Sequence, residues 1–331
     1  MELVNDTPLA VMAFRSVSAA DRPFLTVVAR ATLEIKNDQT AVLAAQQAPL
    51  QLADEFHGDP TTSSIKTEGN LASFKPRADV HFLADAHAPG GKPAREWRVR
   101  VKVGAREKIL KVTGSRRWRK NSAGWILSEP EPCLTVPIRY ELAYGGVWRH
   151  GDELDVCPGN HVGRGHVPQK GWADVDSIPA PQIEDPNEPV ILPGRMVVPQ
   201  GLGPICRSWQ PRLAKGGATN EEWIKNRCPF YPRDFDFLHN NSAHPDLILD
   251  GYLSGDEEVE CNFLTPQGRL CFRLPGLVPF LIREYEDDVV VPAPLNLDTL
   301  SVNLLENHAA LVWRGQLALD PPLRTLEIQF A

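Results

Sequence analysis

Two acids separated by one residue, Asp234 and Asp236, close an irregular tract that runs from Pro199 to Asp236. Paired carboxylates are the residue types of general acid and base chemistry. On a segment set between Pro232 and Phe237, the same acids more naturally cap turns or pair with Arg233 or Arg212, and that reading is preferred. Cys157, His161 and His166 have zinc-ligand chemistry, but no second CxxC or HxxxH pair follows to close four ligands. Ser208 has no nominated base, and no GxSxG elbow occurs. Gly163-Arg164-Gly165 lacks the GxxxxGK[ST] context of a phosphate loop and reads as a tight turn. No catalytic residue, metal or cofactor is expected.

Charge offers a second kind of chemistry. Trp97, Val99, Val101 and Val103 alternate with Arg98, Arg100 and Lys102, so one face of this strand is apolar and the other basic. Lys108 to Val112 supplies the return strand of a hairpin, and residues 92–120 carry a local charge of +10 in a chain whose total is −7. A basic hairpin with Trp97 and Trp118 could hold single-stranded nucleic acid. Trp97 lies on the apolar face, however, which favours core packing over base stacking. A surface steered toward an acidic protein segment fits the charge better. Upstream, Lys75-Pro76-Arg77-Ala78-Asp79-Val80-His81-Phe82 alternates again. Ala78, Val80 and Phe82 lie on one face, with Arg77, Asp79 and His81 on the other.

The elements that must position these groups are mostly strands. The 331 residues are 42% hydrophobic, with 30 prolines and 24 glycines, a composition that favours strands joined by turns over a helical bundle. Phe24 to Ile35 reads as a strand ending in the polar turn Lys36-Asn37-Asp38-Gln39, with a further strand beyond it. Residues 51–70 form a polar loop. Gly124 to Leu127 and Leu134 to Tyr144 read as strands. The runs 259–264 and 269–274 make a hairpin, and 297–304 and 310–319 repeat the pattern. Asn220 to Arg227 reads as a short helix, capped by Thr219 with Glu222 completing a capping box. Trp148 to Glu188 has no periodicity and reads as a long functional loop or an embedded connector.

The expected architecture is mainly β: sandwich-like antiparallel sheets, a long irregular central segment and few short helices. It forms one domain over 1–331, with β-rich halves at 1–146 and 245–331 around a central region at 147–244. Trp209 and Trp223 are expected to clamp the central tract between the halves. Six cysteines, no secretory signal and no long apolar run lead to a cytoplasmic, reduced protein that does not span a membrane. Cys206 and Cys228, which flank the tryptophans, read as buried free thiols.

The order of several short motifs resembles the family catalogued as domain of unknown function 2169, whose members act as adaptors for type VI secretion effectors. The resemblance runs through Asn5-Asp6-Thr7-Pro8-Leu9, Lys75-Pro76-Arg77-Ala78-Asp79, Gly114-Ser115-Arg116-Arg117-Trp118 and Tyr140-Glu141-Leu142-Ala143-Tyr144-Gly145-Gly146. It continues through Asn160 with Gly163-Arg164-Gly165, Trp209-Gln210-Pro211-Arg212, Gly217-Ala218-Thr219-Asn220 with Trp223, and Pro232-Arg233-Asp234-Phe235-Asp236. It implies a bacterial cytoplasmic protein without catalytic residues that holds a toxic effector and helps load it onto the PAAR and VgrG tip. Lys75, Arg77, Asp79, Asn160, Arg164, Trp209, Arg212, Trp223, Asp234 and Asp236 are then motif or partner-binding residues, alongside Arg98, Arg100 and Lys102 of the hairpin. The alternatives are a hydrolase using the acids of the central region and a nucleic-acid-binding protein using residues 92–120.

Overall fold

The β-branched run after Phe24 forms the twelve-residue strand Pro23–Glu34 in the computed structural model, which describes residues 1–18, 20–122 and 124–330. Val27, Val28 and Ala29 are all buried, because this strand is covered on both faces and paired on both edges. Ala10–Val17 runs antiparallel on one side and His308–Ala318 on the other. Asn296–Asn303 follows, and then Asp79–Leu83 in parallel pairing.

A second sheet is built from two hairpins. Glu96–Val103 and Arg106–Thr113 turn at Gly104, whose φ of +55° suits glycine, and Glu258–Asn262 pairs with Arg269–Arg273. The two hairpins join through 96–103 and 258–262. A four-stranded sheet orders Glu2–Asn5, Leu323–Phe330, Pro279–Tyr285 and Val290–Pro294. The inner faces of all three sheets meet in one apolar cluster that includes Leu33, Phe82, Val101, Phe272, Leu281, Leu311 and Ile328. Each such side chain contributes about 1.5–3 kcal/mol by leaving water, so this shared core dominates the folding energy.

The chain is thus mainly β, with 43% strand and 8% helix. Antiparallel pairing predominates, but 2–5 with 323–330 and 79–83 with 296–303 are parallel. Strands from 1–146 and 245–331 alternate within the same sheets, as 23–34 beside 308–318 illustrates. Residues 147–244 carry little regular structure. Their first part nevertheless forms the hairpin Val147–His150 with Glu153–Val156, and it supplies Ser177–Pro179 to a three-stranded sheet beside 117–121. Trp118, Tyr144, Cys157, Ile178 and Val190 make a satellite core there.

Several local expectations shift. The run from Leu134 to Tyr144 is no continuous strand: Thr135–Pro137 gives way to a 3-10 turn at Tyr140–Leu142. Beyond the turn at 36–39, only two-residue stubs form: Gln39–Thr40 pairs with 269–273, while Val42–Leu43 returns antiparallel along 23–34. The loop 51–70 contains the short pair Glu55–Phe56 and Ile65–Thr67. The helix is present as Glu221–Asn226, but its cap is Asn220, whose side chain accepts from the Trp223 amide, so Thr219 lies one residue too early. Neither flanking thiol is buried: Cys228 is exposed and Cys206 half-buried.

The two central tryptophans differ. Trp209 is buried in the main core, edge-on to Tyr140 at 5.7 Å and beside His161. Trp223 is half-buried, and its indole donates to Phe230 O at 2.8 Å within its own loop, so it clamps no second half. We therefore expect Trp209→Ala to lower the unfolding free energy by about 4 kcal/mol in urea titration and Trp223→Ala by less than about 1 kcal/mol. Equal losses would contradict this division of roles.

Candidate functional site: a buried ionic layer and its cleft

The strand 79–83 buries both of its faces. Val80 and Phe82 enter the main core, while Asp79 and His81 lie on the opposite face, buried as well. The sequence pattern therefore placed the two faces correctly, but the polar one is covered by protein. Lys75, four residues before Asp79, turns its ammonium onto this face and donates to Glu68 at 2.6 Å, Asp79 at 2.7 Å and the Thr299 hydroxyl at 3.2 Å. Arg212 reaches Glu68 at 3.4 Å from the central tract, and Arg314 pairs with Asp298. Asp79 also accepts from the Asn241 side chain at 3.0 Å and the Ser242 amide at 2.9 Å.

Lys75, Arg212 and Arg314 thus face Glu68, Asp79 and Asp298, all six buried, and the formal charges cancel. Cancellation is required, since an uncompensated buried charge costs several kcal/mol. Burial opposes the charge on Lys75, yet Asp79, Glu68 and Asp298 more than offset it and its pKa rises. Burial likewise opposes the charge on Glu68, but Lys75, Arg212 and His81 hold its pKa down to about 2. Burial lowers the pKa of His81 despite the pull of Asp79 and Glu68, which keeps its imidazole neutral at pH 7.

Glu68, Asp79 and His81 bring potential ligand atoms within 4.8 Å of one another. The Lys75 ammonium already sits between the two carboxylates, and His81 Nε2 is bonded to the Ser242 hydroxyl at 3.0 Å, so the donor set fits an internal cation better than a metal ion. Nor does the group form a nucleophilic triad. Ser242 is fully buried, and Asp79 holds the Ser242 backbone amide where a triad would have it orient the histidine. Toward its other end the same sheet face opens into a cleft of about 600 Å³, lined by Arg30, Thr32, Glu34, His81, Ser301 and His308. Gln47 covers its rim by bonding both backbone groups of Thr32. Acids and bases are mixed along the lining, so its charge selects no one ionic class.

The remaining residues singled out from sequence fall in separate places. Asp234 accepts from the Ala218 amide, while Asp236 caps the turn Phe237–Asn240 and pairs with Lys215 at 3.1 Å; neither meets Arg233 or Arg212. Arg212 donates instead to Ile205 O and His239 O as well as Glu68. Asn160 is buried, donating to Tyr140 O at 2.7 Å and Tyr144 O at 3.0 Å. Gly145 passes so close that an added Cβ would lie 2.3 Å from Asn160 O. Arg164 donates to Glu141 O and Gln182. The turn at 163–165 is therefore a structural clasp. His166 bonds Asp155 at 2.6 Å, apart from Cys157 and His161 in role.

On the basic hairpin, Arg98 is exposed, but Arg100 is held by Glu107 and Glu260, and Lys102 lies opposite Glu107 and Glu260. Lys108 points inward to Gln200 and Asp246, and Arg116 is buried against Glu184. The local excess of positive charge is therefore partly neutralised by distant acids. Arg77 is exposed, 3.9 Å from Asp250. Sequence reasoning missed Glu68, Asp298 and Arg314. The spacing of Lys75 and Asp79 was visible and Glu68 lies only seven residues before Lys75, but Arg212, Asp298 and Arg314 come from far away in the chain.

A mainly β scaffold whose most buried charges neutralise one another is the class that this geometry defines. The chain belongs to the family described as an uncharacterized protein conserved in bacteria (DUF2169), whose model matches residues 20–314. No curated protein and no solved structure matches it. Among the described residues, no helix is long and apolar enough to cross a membrane.

The pH dependence follows from the signs. Glu68 stabilises fully above its usual value near 4.5, and that contribution is lost as the pH falls toward 2. His81 acts in the same sense below 6.5, because the unfolded imidazole takes a proton that the buried one refuses. Asp298, pushed up by burial, acts oppositely. Glu68→Gln should lower stability at neutral pH by about 3 kcal/mol and flatten the fall in melting temperature between roughly pH 5 and pH 3. A variant curve parallel to the parent's would remove Glu68 as the titrating group.

Proposed function

We propose that this chain is a non-enzymatic adaptor of the bacterial cytoplasm that binds a type VI secretion effector and assists its loading onto the PAAR and VgrG tip. The observation that carries this reading is a braced loop bearing bare apolar side chains. Ile224 is 62% exposed and Phe230 43%, far more than core packing would leave. The loop around them is held in shape. Asp234 ties its ends by accepting from Ala218, Trp223 bonds Phe230 O, and Arg227 bonds Tyr231 O and pairs with Asp21.

Exposed apolar groups on a braced support are what a protein partner buries, and aromatic residues are enriched among the strongest contacts. The motif resemblance supports the same reading, since Gly217 to Asn220, Trp223 and Pro232 to Asp236 all lie in or beside this loop. Asp234 and Asp236, the acids on which a hydrolase would depend, are engaged in holding it.

Capture of the effector encoded beside this gene by the purified protein is the direct test. The double variant Ile224→Asp/Phe230→Asp should reduce capture at least tenfold while its melting temperature stays within about 2 °C of the parent. Indifference of the parent protein to every effector, PAAR and VgrG protein encoded nearby would end the adaptor reading.

A further inference from the structure

Ala10–Val17 is an eight-residue strand at the end of its sheet, paired with 23–34 and with nothing beyond it among the described residues. Of the described strands of seven residues or more, it is the one that lies at an edge; the others are flanked on both sides. An antiparallel edge leaves backbone N–H and C=O groups directed outward along its length. Natural edges are ordinarily guarded by proline, charge, a bulge or a covering segment.

The other edges of the large sheets carry such guards or are short, Glu2–Asn5 being only four residues long. The strand 79–83 is covered by Leu202, whose carbonyl accepts from the Phe82 amide at 2.9 Å, and by a bridge from Asp79 to Ile248. The strand 290–294 contains Pro292 and Pro294. The strands 269–273 and 106–113 are flanked by 39–40 and 183–184. Ala10–Val17 has no proline, no break in register and a single charge, Arg15.

We infer that the edge 10–17 receives an extended segment of the cargo by strand addition. This rests on the adaptor reading above and names the mode of recognition. The occupant's chemistry follows from both faces of the edge. Val11 and Ala13 lie half-buried against the main core, and Ala10, Met12 and Phe14 lie half-buried against the cluster of Val28, Leu50 and Val312. An added strand extends both clusters only if it is apolar on both of its faces. Arg15 is exposed and has no ionic partner among the described residues, so the segment carries a carboxylate opposite it. Main-chain bonds then supply affinity, and the alternating side chains supply choice of segment.

Amide hydrogen exchange of the full chain, alone and with the effector encoded beside it, tests this. Exchange at residues 10–17 should slow at least tenfold in the complex. Met12→Lys, which places a guarding charge on the edge, and Arg15→Glu should each weaken capture about tenfold, and Arg15→Lys should retain it. Arg15 is exposed and not part of the buried ionic layer, so its variants read binding and not folding. A complex that forms while 10–17 exchange as freely as before overturns strand addition and leaves the adaptor reading standing. Protection of 10–17 in the free protein with self-association overturns it in favour of a second copy as occupant. Failure to capture any effector overturns both readings.

Discussion

The ammonium of Lys75 is the interaction on which the rest of the molecule depends. It lies between the carboxylates of Glu68 and Asp79 on the covered face of a central sheet. In a medium of low dielectric, such a charge is tolerable only with its partners in place, and those partners come from three stretches of chain. Glu68 and Asp79 flank it in sequence, Arg212 arrives from the irregular centre, and Asp298 with Arg314 comes from the C-terminal strands. A single electrostatic balance therefore fixes how the loops sit against the sheet.

The irregular centre gains its order from this balance and from the core. Arg212 anchors it by charge, Trp209 by packing, and the Leu202 and Ile205 backbones by bonds to Phe82 and Ser242. Its acids are holding groups as well, with Asp234 and Asp236 stapling turns. The result is a segment with little regular structure in which Arg212, Asp234 and Asp236 nevertheless have specific partners.

Local patterning made much of this legible. Alternation identified 96–103 and the face of Trp97, the β-branched run identified 23–34, and turn residues identified the hairpin at 258–273. What alternation cannot report is what covers a polar face. Asp79 and His81 were seen to lie opposite Val80 and Phe82, but their burial depends on residues more than a hundred positions away. The same limit applies to charge. Residues 92–120 count as strongly basic in the sequence, while Glu184, Asp246 and Glu260 neutralise several of them in space. Ala10–Val17 was not anticipated, since it carries no clean two-residue period, whereas Leu326, Ile328 and Phe330 alternate with Glu327 and Gln329 in the last strand, where β pairing was expected to continue.

The pairing of 23–34 with 308–318 has a consequence for the order of assembly. During synthesis, the first long strand emerges nearly three hundred residues ahead of the neighbour that completes it, and Lys75 emerges well ahead of Arg212 and Arg314. Until those later segments exist, the early ones have apolar faces without cover, and Glu68 and Asp79 share Lys75 alone. Pairings this distant in sequence give the fold a high contact order, which slows folding, and leave the N-terminal strands with uncovered apolar faces until the last strands emerge.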